Sequence, residues 1–287
     1  MRARIRDTEL YFDVDGPGLA WGEHAMQERP VLFLVHGGPG GDHVSFKRSS
    51  AALREVAQLV YIDQRGCGRS ARGPRSSYTL DNNIDDLDAL REHLGLQRIS
   101  LLGSSYGGMV ALGYALRYGS RLANLILVCT APSWRFIEDA RRFIETRGTP
   151  EQQRVCQWLW EGRFEHEDQL REYYRVMGPL YSRRYREEDF AANWARSTRN
   201  FEALNEGFSG FLRSFDFTPQ LHQISCPTLI LAAAHDWICP PHHSQLMAER
   251  IPRAHLKVFA HSGHMLPQDE NEAYLAAVRG FLTYAAG

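Results

Sequence analysis

The chain has 287 residues, 44% hydrophobic and 23% charged, which is the balance of an ordinary globular protein. Its 33 Lys and Arg nearly cancel 34 Asp and Glu, for a formal charge of -1, so neither nucleic acid nor an anionic membrane surface is an expected partner. Five scattered cysteines show no metal-ligand or redox spacing, and no run has the apolar length of a membrane span, so reduced thiols in the cytoplasm are expected.

The first seven residues are charged, and no apolar stretch follows them, so no secretory signal is expected. Polar and apolar residues alternate over 9–14, and Asp15-Gly16-Pro17-Gly18 then reads as a turn. This predicts antiparallel strands at a sheet edge. Short apolar runs follow at 31–35, 59–62, 99–102, 125–128, 228–231 and 256–259. They show little polar alternation, which predicts parallel strands buried on both faces. Helical spacing separates them at 82–94 and 106–118. Strand and helix in series predict an α/β fold: a mostly parallel central sheet with helices on both faces.

The pattern breaks over 133–217, where charges and aromatics are dense and no buried-strand run occurs. A mainly helical cap inserted between two core segments, 1–132 and 218–287, is expected. No internal repeat is present, and nothing in the pattern specifies an oligomeric state.

The strongest chemical signal is Gly103-Ser104-Ser105-Tyr106-Gly107-Gly108, placed after one strand run and opening a helix. G-x-S-x-G in that context is a nucleophile elbow: the sharp turn pushes the Ser105 hydroxyl out of the sheet edge. A serine hydroxyl is a weak nucleophile and needs a base. An acid and then a histidine are expected later in the chain, each after a strand. Asp236 follows one run, and His264 follows another in His261-Ser262-Gly263-His264. His264 is the expected base, with His261 as its rival, and Asp236 the expected orienting acid. The glycine loop His36-Gly37-Gly38-Pro39-Gly40-Gly41 lets backbone N–H groups approach a substrate. Gly38, with the N–H of Tyr106, is the expected oxyanion hole. Neither His261-x-x-His264 nor His242-His243 has a third ligand patterned nearby, so no metal is expected, and no cofactor.

With Asp63-Gln64-Arg65-Gly66-Cys67-Gly68-Arg69-Ser70 added to the glycine loop and the elbow, the chain resembles the proline iminopeptidase branch of the α/β-hydrolase superfamily. The likeness covers about 31–131 and 226–282. It implies an α/β-hydrolase fold and a cofactor-free serine hydrolase that removes an N-terminal proline or similar residue from small peptides or amides. It also implies cap carboxylates that grip the substrate ammonium. Glu206 and then Glu202 are the expected residues, Glu206 because related caps carry a glutamate there. Where some members have a glutamate after the triad acid, this chain has Trp237, an expected pocket wall without charge. That leaves room for an ester or lactone substrate. A non-catalytic ligand-binding protein on the same scaffold is the third alternative.

Overall fold

The computed structural model describes residues 1–21 and 25–284. Its main sheet has eight strands, and the two at one edge are antiparallel: β1 (Arg2–Ile5) and β2 (Thr8–Asp15). A separate hairpin pairs β3 (Leu19–Trp21) with β4 (Met26–Glu28). The parallel strands are β5 (Val31–Val35), β6 (Gln58–Asp63), β7 (Ile99–Ser104), β8 (Leu122–Val128), β9 (Thr228–Ala233) and β10 (Ala254–Phe259). The spatial order is β1-β2-β6-β5-β7-β8-β9-β10.

Alternate residues of each central strand enter opposite cores, as the pleat requires. Phe33, Val35, Leu101, Leu125 and Leu127 face one side. There they meet Ile84 and Leu87 of α2 (Leu80–His93) and Val110 of α3 (Tyr106–Arg117). Leu32, Leu34, Leu102, Ile126 and Val128 face the other side, with Phe46 of α1 (Val44–Ser49). Helices therefore cover both faces, as the apolar runs implied. Thr79 starts α2 by accepting a hydrogen bond from the Asn82 N–H, which satisfies one free donor of the first turn.

One strand departs from expectation. The run 256–259 was expected to be buried on both faces, but β10 is the last strand of the sheet and Val258 is 45% exposed. No neighbour follows on that flank, so apolar content there does not report burial.

Between β8 and β9 the chain forms α4 (Arg135–Arg147), α5 (Pro150–Glu161), α6 (Glu167–Tyr181), α7 (Glu187–Ala195) and α8 (Phe201–Ser209), with no strand of the main sheet. A bridge between Ser133 and Asp216 brings the two ends of this segment together. Its Phe136, Val155, Tyr173 and Phe208 join the same apolar cluster as α2 and α3. After β9 come α9 (Pro241–Arg250), α10 (Leu266–Asp269) and α11 (Asn271–Tyr284), and Leu266 and Tyr274 pack on the other core. All five cysteines are buried and free. Among the described residues, no helix is long and apolar enough to cross a membrane.

Candidate active site

Four loops meet at the carboxyl edge of the parallel strands, the edge where open α/β sheets hold ligands. They follow β5, β7, β9 and β10. Ser105 alone separates β7 from α3, with φ 55° and ψ -123°, a backbone region that costs an L-residue energy. Two close backbone approaches make the turn possible. A Cβ on Gly103 would lie 2.1 Å from the Gly107 carbonyl oxygen, and one on Gly107 would lie 2.0 Å from that of Val35. The Ser105 N–H donates to the Val128 carbonyl at 2.9 Å, and the Thr130 hydroxyl donates to the Ser105 carbonyl at 2.7 Å. The strained residue is thus fixed from both sides.

The glycine loop lies directly against this serine: a Cβ on Gly37 would sit 3.0 Å from the Ser105 Cβ. Gly38 adopts φ 128°, which suits glycine. Tyr106 opens α3, so its N–H lies at the positive end of the helix.

The Asp63–Ser70 block holds this loop from below. The Gln64 N–H donates to His36 Nε2 at 3.2 Å, and Gln64 Nε2 donates to the His36 carbonyl at 2.7 Å. With Nε2 accepting, His36 Nδ1 carries the proton and donates to the Gly37 carbonyl at 2.7 Å. Burial depresses the His36 pKa, against the pull of Asp63, so the ring is neutral at neutral pH. Asp63 accepts from the His43 and Arg69 N–H groups and from His43 Nδ1. Burial would raise its pKa, but the His43 bond, His36 and the Arg69 N–H hold it below the usual aspartate value. Arg65 clamps Asp86 with two hydrogen bonds and reaches Asp7.

A continuous hydrogen-bonded chain runs through the site. His264 Nε2 lies 2.9 Å from Ser105 Oγ, and His264 Nδ1 lies 2.9 and 2.8 Å from the two Asp236 carboxylate oxygens. The buried Asp236 carboxylate also accepts, at Oδ1, the N–H groups of Ile238 and Cys239, each at 2.9 Å. With Asp236 holding the Nδ1 proton, Nε2 is free to accept from the serine hydroxyl. His261 is exposed, and its N–H donates to Glu270, so the structure brings His264 and not its neighbour to Ser105. Three further anchors shape the histidine loop, and sequence reasoning missed them. Asp269 accepts from the Gly263 N–H and the Ser182 hydroxyl, and Glu270 from the Ser262 hydroxyl. The Tyr181 ring stands edge-on to the His264 ring, with centroids 5.6 Å apart.

A cavity of about 330 Å³ opens on Ser105, Gly38, Tyr106 and His264. Met109, Phe136, Tyr174, Leu204 and Phe208 contribute its apolar wall. Glu202 and Glu206 are not brought to it. Leu204 and Phe208 line the cavity from α8, and residues two apart on a helix point about 200° apart. Both glutamates therefore face the other way, 3.8 and 3.7 Å from Arg75. Trp237 is also displaced from its expected place at the pocket. It is buried behind the wall, edge-on to Tyr181 at 5.4 Å and to Trp160 at 6.3 Å. Among the described lining residues the one carboxylate is Asp42, and the Ser197 hydroxyl and the Thr198 and Val44 N–H groups occupy it.

The paired histidines 242 and 243 do acquire a third neighbour. Both Nε2 atoms approach Asp139 Oδ2 of α4, at 2.9 and 3.0 Å. Spacing along the chain could not offer it, because Asp139 is about a hundred residues away. Burial and then His242 push His243 down to about 4, so its ring is neutral and the contact ties α4 to α9.

The model of the α/β hydrolase fold matches residues 30–270 of this chain. A proline iminopeptidase of Pestalotiopsis fici is 31% identical over 283 residues, covering 95% of this chain and 98% of its own. An esterase of Thermogutta terrifontis superposes with a TM-score of 0.78 at 28% identity, over 99% of both chains. The proline iminopeptidase of Mycobacterium smegmatis superposes with a TM-score of 0.77 at 24% identity, over 99% of this chain and 98% of that one, a likeness of fold.

Proposed function

The chain belongs to the α/β hydrolase fold family, and within it we propose a serine hydrolase that works through an acyl-enzyme on Ser105. The hydrogen-bonded chain from Asp236 through His264 to Ser105 carries this reading. His264 Nε2 takes the hydroxyl proton as Ser105 Oγ attacks the substrate carbonyl carbon. The carbonyl oxygen becomes an oxyanion, stabilised by the N–H groups of Gly38 and Tyr106. Asp236 stabilises the imidazolium. His264 then returns the proton to the leaving oxygen or nitrogen, and the carbon–heteroatom bond breaks. Water, activated by the same histidine, releases the acid and restores Ser105. The segment 133–217 acts as a cap that restricts the site to small molecules. Five free, buried thiols fit a reducing cytoplasm.

For the substrate, the cavity favours a small carboxylic ester, lactone or amide without a free amine. A buried ammonium needs an anionic partner, and the one lining carboxylate is already occupied. Removal of an N-terminal proline from small peptides or amino-acid amides is the second reading, and the named relative at 31% identity favours it. One panel separates the two: prolyl arylamide, its N-blocked form, simple aryl esters and lactones. Turnover of the esters and the blocked amide is expected. A strict requirement for the free amine would overturn the first reading in favour of the second. Ser105→Ala should abolish all turnover with little change in thermal melting, and retained activity would refute the acyl-enzyme.

A further inference from the structure

Three arginines are among the residues that line the cavity, Arg48, Arg196 and Arg199. The two fully buried arginines among the described residues are matched to acids: Arg65 with Asp7 and Asp86, and Arg91 with Asp88 and Glu92, whereas Arg199 is half-buried. None of the three cavity arginines has a carboxylate within 4 Å among the described residues.

Arg199 is the best placed. Its Nη1 donates to the carbonyls of Trp194 and Ser197, and its guanidinium lies 4.1 Å from the Trp194 ring centroid and 5.4 Å from that of Tyr174. Those contacts hold the fork in place, while Nε and Nη2 find no acceptor among the described residues. The backbone on either side is fixed to the glycine loop. Asn200 donates to the Gly40 and Gly66 carbonyls, and Ser197 and Thr198 donate to Asp42. Burial lowers the Arg199 pKa, against the attraction of Tyr174, Asp42 and Glu167, as befits a cation short of a counter-ion. Arg48 and Arg196 are exposed and both donate to Asn193 Oδ1, so they add positive potential at the mouth.

We infer that this cavity selects substrates bearing a carboxylate, which pairs with the free edge of the Arg199 guanidinium while Ser105 acts on an ester or amide elsewhere in the same molecule. The inference rests on the serine hydrolase reading and narrows it to a substrate class. A planar fork with two free donors suits a carboxylate better than a neutral group. The same charge disfavours an ammonium, which agrees with the two glutamates turning away.

The test uses matched pairs: 4-acetoxybenzoate against its methyl ester, and monomethyl against dimethyl adipate. They place the carboxylate on the alcohol side and on the acyl side of the scissile bond. In at least one pair the charged member should have the higher kcat/KM by about tenfold, and Arg199→Gln should erase that preference through KM. Arg199→Lys, which keeps charge without the fork, should retain part of it and covers the case where the glutamine variant does not fold. Arg4→Gln, whose side chain is 93% exposed on β1, should leave the ratio unchanged. Calorimetry on Ser105→Ala reads the site without turnover: the preferred charged member should bind, and Ser105→Ala/Arg199→Gln should bind it at least about tenfold more weakly. Equal kcat/KM within both pairs, or a ratio that survives Arg199→Gln, overturns the inference. Binding to Ser105→Ala with no wild-type turnover overturns the hydrolase reading alone.

Discussion

Asp236→Asn tests the proposed relay at its most constrained atom. Asp236 Oδ1 accepts from the Ile238 and Cys239 N–H groups, each at 2.9 Å. An asparagine must keep its carbonyl oxygen there, because turning the amide over would set its NH2 against two buried donors. The NH2 then takes the Oδ2 position, 2.8 Å from His264 Nδ1. A donor now faces that nitrogen, and Oδ1, 2.9 Å from it, already accepts two N–H groups, so Nδ1 is expected to accept and the ring proton to move to Nε2. Nε2 is the atom 2.9 Å from Ser105 Oγ, and once protonated it can no longer take the serine proton. Holding the wrong tautomer lowers kcat by about 10⁴-fold in triads of this kind, or about 5 kcal/mol of transition-state stabilisation. The substitution is nearly isosteric and removes a buried charge, so folding should survive. Release of 4-nitrophenol from a short-chain ester, followed by stopped-flow and by thermal melting of the same samples, gives both quantities. A folded variant within about tenfold of wild-type kcat would refute the tautomer argument.

Three further expectations follow from other parts of the molecule. Gly107→Ala would put a methyl group 2.0 Å from the Val35 carbonyl and 2.6 Å from that of His36, so a loss of more than about 3 kcal/mol or failure to fold is expected in urea titration. His243 ionises more readily in the unfolded chain, at an ordinary 6.5, than in the fold, at about 4. Its contribution is complete above pH 6.5 and falls as pH drops toward 4, by up to about 3 kcal/mol. His243→Asn should flatten that part of the stability–pH curve, and parallel curves would contradict it. Glu202→Gln and Glu206→Gln should change kcat/KM toward a free-amine arylamide by less than about twofold, since both face Arg75. A much larger loss would return these carboxylates to an amine site.

By itself the sequence carried whatever is decided within a few neighbouring residues. Gly103, Ser105 and Gly107 specify the elbow because the turn must close without side chains at two backbone contacts. Buried apolar runs specify parallel strands, and alternation at Leu10 and Phe12 specifies the antiparallel edge. Asp236 and His264 were legible because each closely follows a strand and so reaches the same edge. Tertiary structure decided what depends on docking. A helical period shows that Leu204 and Phe208 share one side of α8 and the two glutamates another, but not which side meets the cavity. β10 is apolar like its neighbours, and only its position at the end of the sheet exposes Val258. Asp139 meets His242 and His243 across about a hundred residues, and Arg199 gains its place from Asn200 clamped on Gly40 and Gly66. Such contacts form where separate elements pack together, and no spacing along the chain encodes them.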